Sequence, residues 1–130
     1  MADNKSDYLE DAVLNHFLRP GNSVTAPTSV ELALFTVAPG DDGTGGTEVS
    51  GNGYARQAVT FGAPSGGTVQ NSGIVAFPQA SGGDWGTIVA TGIYDNSGNL
   101  LYHGALASSK LVEDGDTISF VVGAITVSEV

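Results

Sequence analysis

Between residues 7 and 18 the apolar positions recur with a helical period: Leu9, Val13 and Phe17 stand four apart, and Ala12, Leu14 and Leu18 widen the stripe. Asp7 and Glu10 have the spacing of a capping box, in which each side chain satisfies a backbone N–H at a helix start. Pro20-Gly21 closes the segment. The pattern predicts a helix of about three turns with one apolar face. So short a helix is marginal alone in water, so its stripe must dock on this domain or on a partner.

From residue 29 onward the period changes to short stretches rich in β-branched and aromatic residues, separated by Gly, Pro, Asn and Asp. Ser29 to Thr36 alternates, with Val30, Leu32 and Leu34 on one face and Glu31, Ala33 and Phe35 on the other. Ala38 to Gly53 then reads as a long glycine-rich loop, costly to order unless something holds it, and hence mobile or a contact arm. Tyr54 to Phe61, Thr68 to Gln70 and Ile74 to Phe77 are strand segments joined by turn sequences and suggest a meander. Thr87 to Tyr94 and Leu100 to Ala107 flank the polar connector Asp95-Asn96-Ser97-Gly98-Asn99, the clearest hairpin signal in the chain. Thr117 to Val122 and Ala124 to Ser128 complete a set of about eight strands, with Gly123 marking a bulge or bend. With no second helical pattern to serve as a crossover, the expected class is mainly β: an antiparallel sandwich or barrel with one short N-terminal helix. The 130 residues are expected to form a single β domain, with 1–20 as a helical arm.

Charge narrows the function classes. Four Lys and Arg stand against fourteen Asp and Glu, a formal charge of -10, so the long-range field repels phosphate backbones and nucleic-acid partners are not expected. Cysteine is absent, which excludes disulfides, thiolate metal sites and cysteine nucleophiles. The first twenty residues carry acids where a secretory leader would carry a basic start, and no apolar run is long enough to span a bilayer, so no membrane partner is expected.

Catalytic chemistry is sparse. His16 falls on the predicted helix and His103 inside a predicted strand, neither beside a nucleophile motif. The carboxylates that a glycoside hydrolase would need cluster in turns. Asp41, Asp42 and Glu48, or Glu113, Asp114 and Asp116, offer oxygens for calcium, but neither run has the spacing of a calcium loop, and solvated turns account for both. Gly43, Gly45 and Gly46 lack the Lys-Ser or Lys-Thr of a phosphate loop. No metal or cofactor is expected. Trp85 with Tyr54, Tyr94 and Tyr102 has the composition of a sugar-stacking platform, although a single Trp more commonly fills a core or an interface. Arg56 stands ready either for a carboxylate of a neighbouring subunit or for an ordinary surface ion pair.

The succession YLEDAVLNHFLR, VELALFTVAPGDDGTGGTEVSGNGYARQAVTFGAP, DWGTIVATGIYDNSGNLLYHGAL and GDTISFVVGAITV resembles a family of small virion proteins of tailed bacteriophages. Its most specific stretches are Thr47 to Gly51 running into Gly53 to Gln57, and Trp85-Gly86-Thr87 leading to Gly92 to Asp95. Members of this family are described as tail fibre or minor tail proteins, and similar small β proteins of phage heads are trimeric decoration, or cement, proteins. The resemblance implies a non-enzymatic virion protein, made in the host bacterial cytoplasm, that forms a homotrimer. An acidic surface suits the outside of a capsid, away from packaged DNA, and the chain has no shaft-like repeat. The expected role is therefore capsid decoration with the major capsid protein as partner, and a tail component touching the host surface or its glycans is the alternative. Leu9, Val13, Phe17, Asp41, Asp42, Glu48, Tyr54, Arg56 and Trp85 are the candidate subunit or capsid contacts.

Overall fold

A computed structural model describes residues 4–129. Among them are ten strands and one helix: β1 (Asn4–Lys5), α1 (Asp7–Leu18), β2 (Val30–Val37), β3 (Thr47–Glu48), β4 (Gln57–Val59), β5 (Thr68–Gln70), β6 (Val75–Ala76), β7 (Gly86–Asp95), β8 (Leu100–Val112), β9 (Ser119–Phe120) and β10 (Thr126–Ser128). The protein is mainly β, and all its strand pairs are antiparallel.

The larger sheet runs β1-β8-β7-β2, and the far edge of β2 is shared by β4 against Val30 to Leu32 and β3 against Phe35 and Val37. Two small sheets, β5 with β10 and β6 with β9, form the second layer. This is a sandwich; the pairing does not close into a barrel. The alternation in β2 divides its side chains as the pattern requires. Leu32 and Leu34 join Ile88, Ile93, Val112, Ile118, Phe120, Ile125 and Val127 in the core between the layers. Ala33 and Phe35 turn to the opposite face and join Ala90, Tyr94 and Leu100 in a smaller cluster.

The hairpin of β7 and β8 forms where the sequence placed it. Asp95 organises its turn, with Oδ1 accepting the N–H groups of Ser97 (2.9 Å) and Asn99 (2.8 Å). Burial pushes the Asp95 carboxyl up, but these bonds outweigh it and hold the group below its ordinary 3.8.

Three expectations change. The meander is reduced to a short stretch: Phe61 bridges Asn71 antiparallel, with Gly62 N–H donating to Gln70 O at 2.9 Å and Ser72 N–H to Thr60 O at 2.8 Å, while β4, β5 and β6 themselves pair with β2, β10 and β9. The segment from Ala38 to Gly53 is not a free arm: it contains β3, and Val49 N–H donates to Leu34 O at 3.0 Å while its side chain is buried. Gly46 permits this path, since a Cβ there would stand 2.8 Å from the Pro39 backbone. The helix cap is Ser6, one residue before the expected capping box. Its Oγ accepts Leu9 N–H at 3.2 Å and donates to Leu100 O, while its own N–H donates to Leu101 O at 2.9 Å. Asp7 and Glu10 occupy the first turn, where the helix dipole favours them.

Candidate functional site

The segment from Thr47 to Gln57 folds a polar cluster against the larger sheet. The strand β3 presents Glu48, and the turn after it returns Tyr54 and Arg56 to the same carboxylate. Glu48 Oε2 accepts from Tyr54 Oη at 2.6 Å and from Arg56 Nε at 2.9 Å, and Glu48 Oε1 accepts from Arg56 Nη2 at 2.8 Å. The guanidinium also lies 3.7 Å over the Tyr94 ring, which stacks on Phe35. Tyr54 Oη in turn accepts Leu34 N–H at 3.0 Å, so the cluster satisfies a donor of β2 that no strand reaches.

Electrostatics follows from this geometry. Burial pushes the Glu48 carboxyl up, yet the hydrogen bonds from Arg56 and Tyr54 and the Arg56 charge overcome it and hold the carboxyl below its ordinary 4.5. Burial and the adjacent carboxylate raise the Tyr54 hydroxyl strongly, so it remains a donor at every physiological pH. Both Glu48 oxygens are occupied and the Arg56 fork is aligned on them, an arrangement suited to bracing a loop.

Asp41 and Asp42 are engaged separately from Glu48. Asp41 Oδ1 lies 2.7 Å from His103 Nε2, and Asp41 O accepts Asp7 N–H at 2.8 Å, so the loop tip ties the helix start to β8. Asp42 Oδ1 accepts the Thr44 N–H and hydroxyl at 2.9 and 2.8 Å, which lowers the Asp42 carboxyl from its ordinary value. Among the described residues no group of three His, Cys, Asp or Glu converges in a way that could hold a metal ion. The second acidic run is likewise divided: Asp116 Oδ2 accepts Glu113 N–H and Asp84 Oδ1 accepts Asp114 N–H.

Trp85 is 6% exposed and meets Tyr54 and Phe77 edge-on, with Nε1 donating to Asn52 O at 2.9 Å. That ring belongs to the core and offers no face to a sugar. Tyr94 is covered by Arg56 and Phe35. Tyr102 borders an apolar cavity of about 260 Å³ with Val69, Ile93 and Val127, and burial together with Glu129 pushes its hydroxyl up to about 12. On α1, Leu9 and Val13 are half-buried and Phe17 is 73% exposed.

The sequence candidates therefore fall into four places: Glu48, Tyr54 and Arg56 in one cluster, Trp85 in the core beside Tyr54, Asp41 and Asp42 at the loop tip, and the helix residues at a separate surface. The partner that sequence reasoning missed is His103, 62 residues from Asp41 and joined to it only by the fold. Phe35 and Tyr94 complete the cluster beneath Arg56, and only their β alternation hinted at it.

What fold and site define is an antiparallel β-sandwich whose polar side chains hold its own loops. The family model described as podophage GP4 fiber I protein gp80 matches residues 4–128, nearly the full length. The chain belongs to that family, and is a phage structural protein of the fibre and virion type. A search of the curated proteins finds none that matches it.

Proposed function

We propose that this protein is a non-enzymatic, oligomeric component of the virion that works by docking on other virion proteins, at a tail-fibre position. The observation that carries the reading is the family match over residues 4–128, whose description is of a fibre protein. The geometry agrees with it. The conspicuous acids and the Asp41–His103 pair are engaged in holding loops and the helix start, with no serine or threonine hydroxyl bonded to that histidine among the described residues. The exposed surface instead offers apolar side chains, Leu14, Phe17 and Leu18 on α1 and Val121 and Val122 after β9, which suit contacts between proteins.

A second reading, decoration of the outer capsid against the major capsid protein, is favoured by the formal charge of -10 and by the compact sandwich without a shaft. In either position a homotrimer, as the resemblance implies, would gain by multivalent attachment. Quantitative mass spectrometry of purified virions separates the two. A few dozen copies or fewer per particle support the fibre, hundreds support decoration, and absence from the particle overturns both. Neither reading needs a catalytic group, so conversion of any member of a glycan panel, lost on changing a single carboxylate, would refute the non-enzymatic part.

A further inference from the structure

Among the described residues two apolar surfaces stay open, at opposite ends of the larger sheet. The first is the outward face of α1. Leu14, Phe17 and Leu18 are 53%, 73% and 71% exposed, and helical geometry puts Asp7, Glu10 and Asp11 on the same face, one turn and more toward the N-terminus. This face is thus an apolar tip with an acidic base. The second is a groove of about 340 Å³ between the far half of β8 and β9, lined by Leu106, Lys110, Ile118, Phe120, Val121 and Ala124. Alongside it the outer edge of β8 beyond Gly104 has no strand partner among the described residues, where β1 pairs with Tyr102 and His103.

Charge says what fits the groove. Of the four cationic side chains, Lys5 is held by Glu129 and Arg56 by Glu48, while Arg19 donates to Asn15. Lys110, at the groove rim, has no ion pair among the described residues. A complementary occupant presents apolar side chains next to carboxylates, which is the composition of the α1 face.

The helix of the same chain cannot supply it. His16 Nδ1 accepts Val24 N–H, and Thr28 N–H bonds Asn96, so the end of α1 is held toward the β7–β8 turn. Lys110 pairs with Ile88, seven residues back from Asp95 along β7, which is about 23 Å away at ~3.3 Å per residue.

We propose that the outward face of α1 from one copy of this chain seats in the β8–β9 groove of a second copy, with the acids of the helix against Lys110. The contact joins two different patches, so each copy gives one and receives one, and assembly proceeds to a ring where the rotation closes and to a filament where it does not. One three-turn helix face covers less than the ~800 Å² per partner of a stable pair, so closure into a ring stabilises what a single contact holds weakly. This deepens the oligomeric part of the reading above by naming its surfaces. It is tested on purified protein, so its failure leaves the virion measurement, and the location that it assigns, untouched.

The test is sedimentation velocity over about 1–100 µM, the range suited to so small a contact. The wild-type mass is expected to rise above the 13.1 kDa of one chain. Phe17→Asp and Val121→Asp alter exposed side chains, so circular dichroism should stay unchanged while each variant remains monomeric. Mixed in equal amounts they should form a two-chain species and nothing larger, because one supplies an intact groove and the other an intact helix. Lys110→Glu should weaken association several-fold. A wild-type chain that is monomeric throughout the range, single variants that assemble like wild type, or a mixture that stays monomeric would each overturn the proposal.

Discussion

Asn71 is fully buried at a turn, and its side chain binds three separate segments: Nδ2 donates to Gly73 O (2.8 Å) and Val121 O (2.9 Å), and Oδ1 accepts Ile125 N–H (2.9 Å). Its backbone adds a bond to Ile125 O and another from Gly123 N–H, both at 3.1 Å. Replacing it with alanine removes the three side-chain bonds and leaves the backbone ones. Gly73 and Val121 are exposed, so their carbonyls can turn to water and each lost bond costs about 1 kcal/mol. Ile125 is at 0% exposure, and its stranded N–H bears the full desolvation penalty of about 1–3 kcal/mol. Asn71→Ala should therefore destabilise by roughly 3–5 kcal/mol, a large share of the ~5–15 kcal/mol typical of a domain. Urea unfolding followed by tryptophan fluorescence measures this directly, since Trp85 is the only tryptophan and lies in the core. Asn71→Asp keeps the shape and the Ile125 bond but turns an acceptor on two carbonyls, and should cost a comparable amount at pH 7. If Asn71→Ala costs less than about 1 kcal/mol, the three bonds do not act as the brace that their geometry describes.

Three other outcomes are expected. Gly92→Ala should overpack the outer cluster, because a Cβ would stand 3.0 Å from Phe35 Cε2 and 3.1 Å from Leu100 Cδ1; a loss of about 1–3 kcal/mol in thermal or urea unfolding is expected, and a neutral result would refute the tight fit. Glu48→Gln removes the charged acceptor from Arg56 and should cost about 1–3 kcal/mol, read by the same unfolding assay with Thr25→Ala as an exposed-loop comparison. Stability should hold steady down to about pH 5 and fall below it, because Glu48 and Asp95 have folded-state values lowered from 4.5 and 3.8: their contribution is present above the unfolded values and is lost as pH falls through the folded ones. A thermal-denaturation series in pH checks this, and Glu48→Gln should lose less on acidification than wild type.

Local structure was legible wherever it rests on near neighbours. The stripe of Leu9, Val13 and Phe17 marked α1, and Asp95 to Asn99 marked the hairpin whose two long strands are joined by a short turn. Most of the pairing was not legible, because β4, β5 and β6 look alike as short β-branched runs and find their partners 25 or more residues away. The cap moved to Ser6 because Leu100 and Leu101 offer carbonyls there, a tertiary preference invisible in the local spacing. Glu48, Tyr54 and Arg56 were noticed singly for their chemistry and lie within nine positions of one another, so the cluster was nearly readable; its sheet partner Tyr94 was not. The Asp41–His103 pair left no signal, since nothing in either segment names the other.

The pairing of β5 with β10 also sets an order of events during synthesis. Thr68, Val69 and Gln70 find their partners at Ser128, Val127 and Thr126, so the second layer cannot close while those residues are still inside the ribosome. β2, β7 and β8 precede that segment in the chain, and as they pair they leave Leu32, Leu34, Ile88 and Ile93 on a face that lacks Ile125 and Val127 until the last strand joins. A nascent chain in that state has a half-covered core and depends on quick completion, or on a chaperone, to avoid sticking to its neighbours. A chain truncated before residue 126 should therefore be protease-sensitive and aggregation-prone, and one that includes residue 128 resistant.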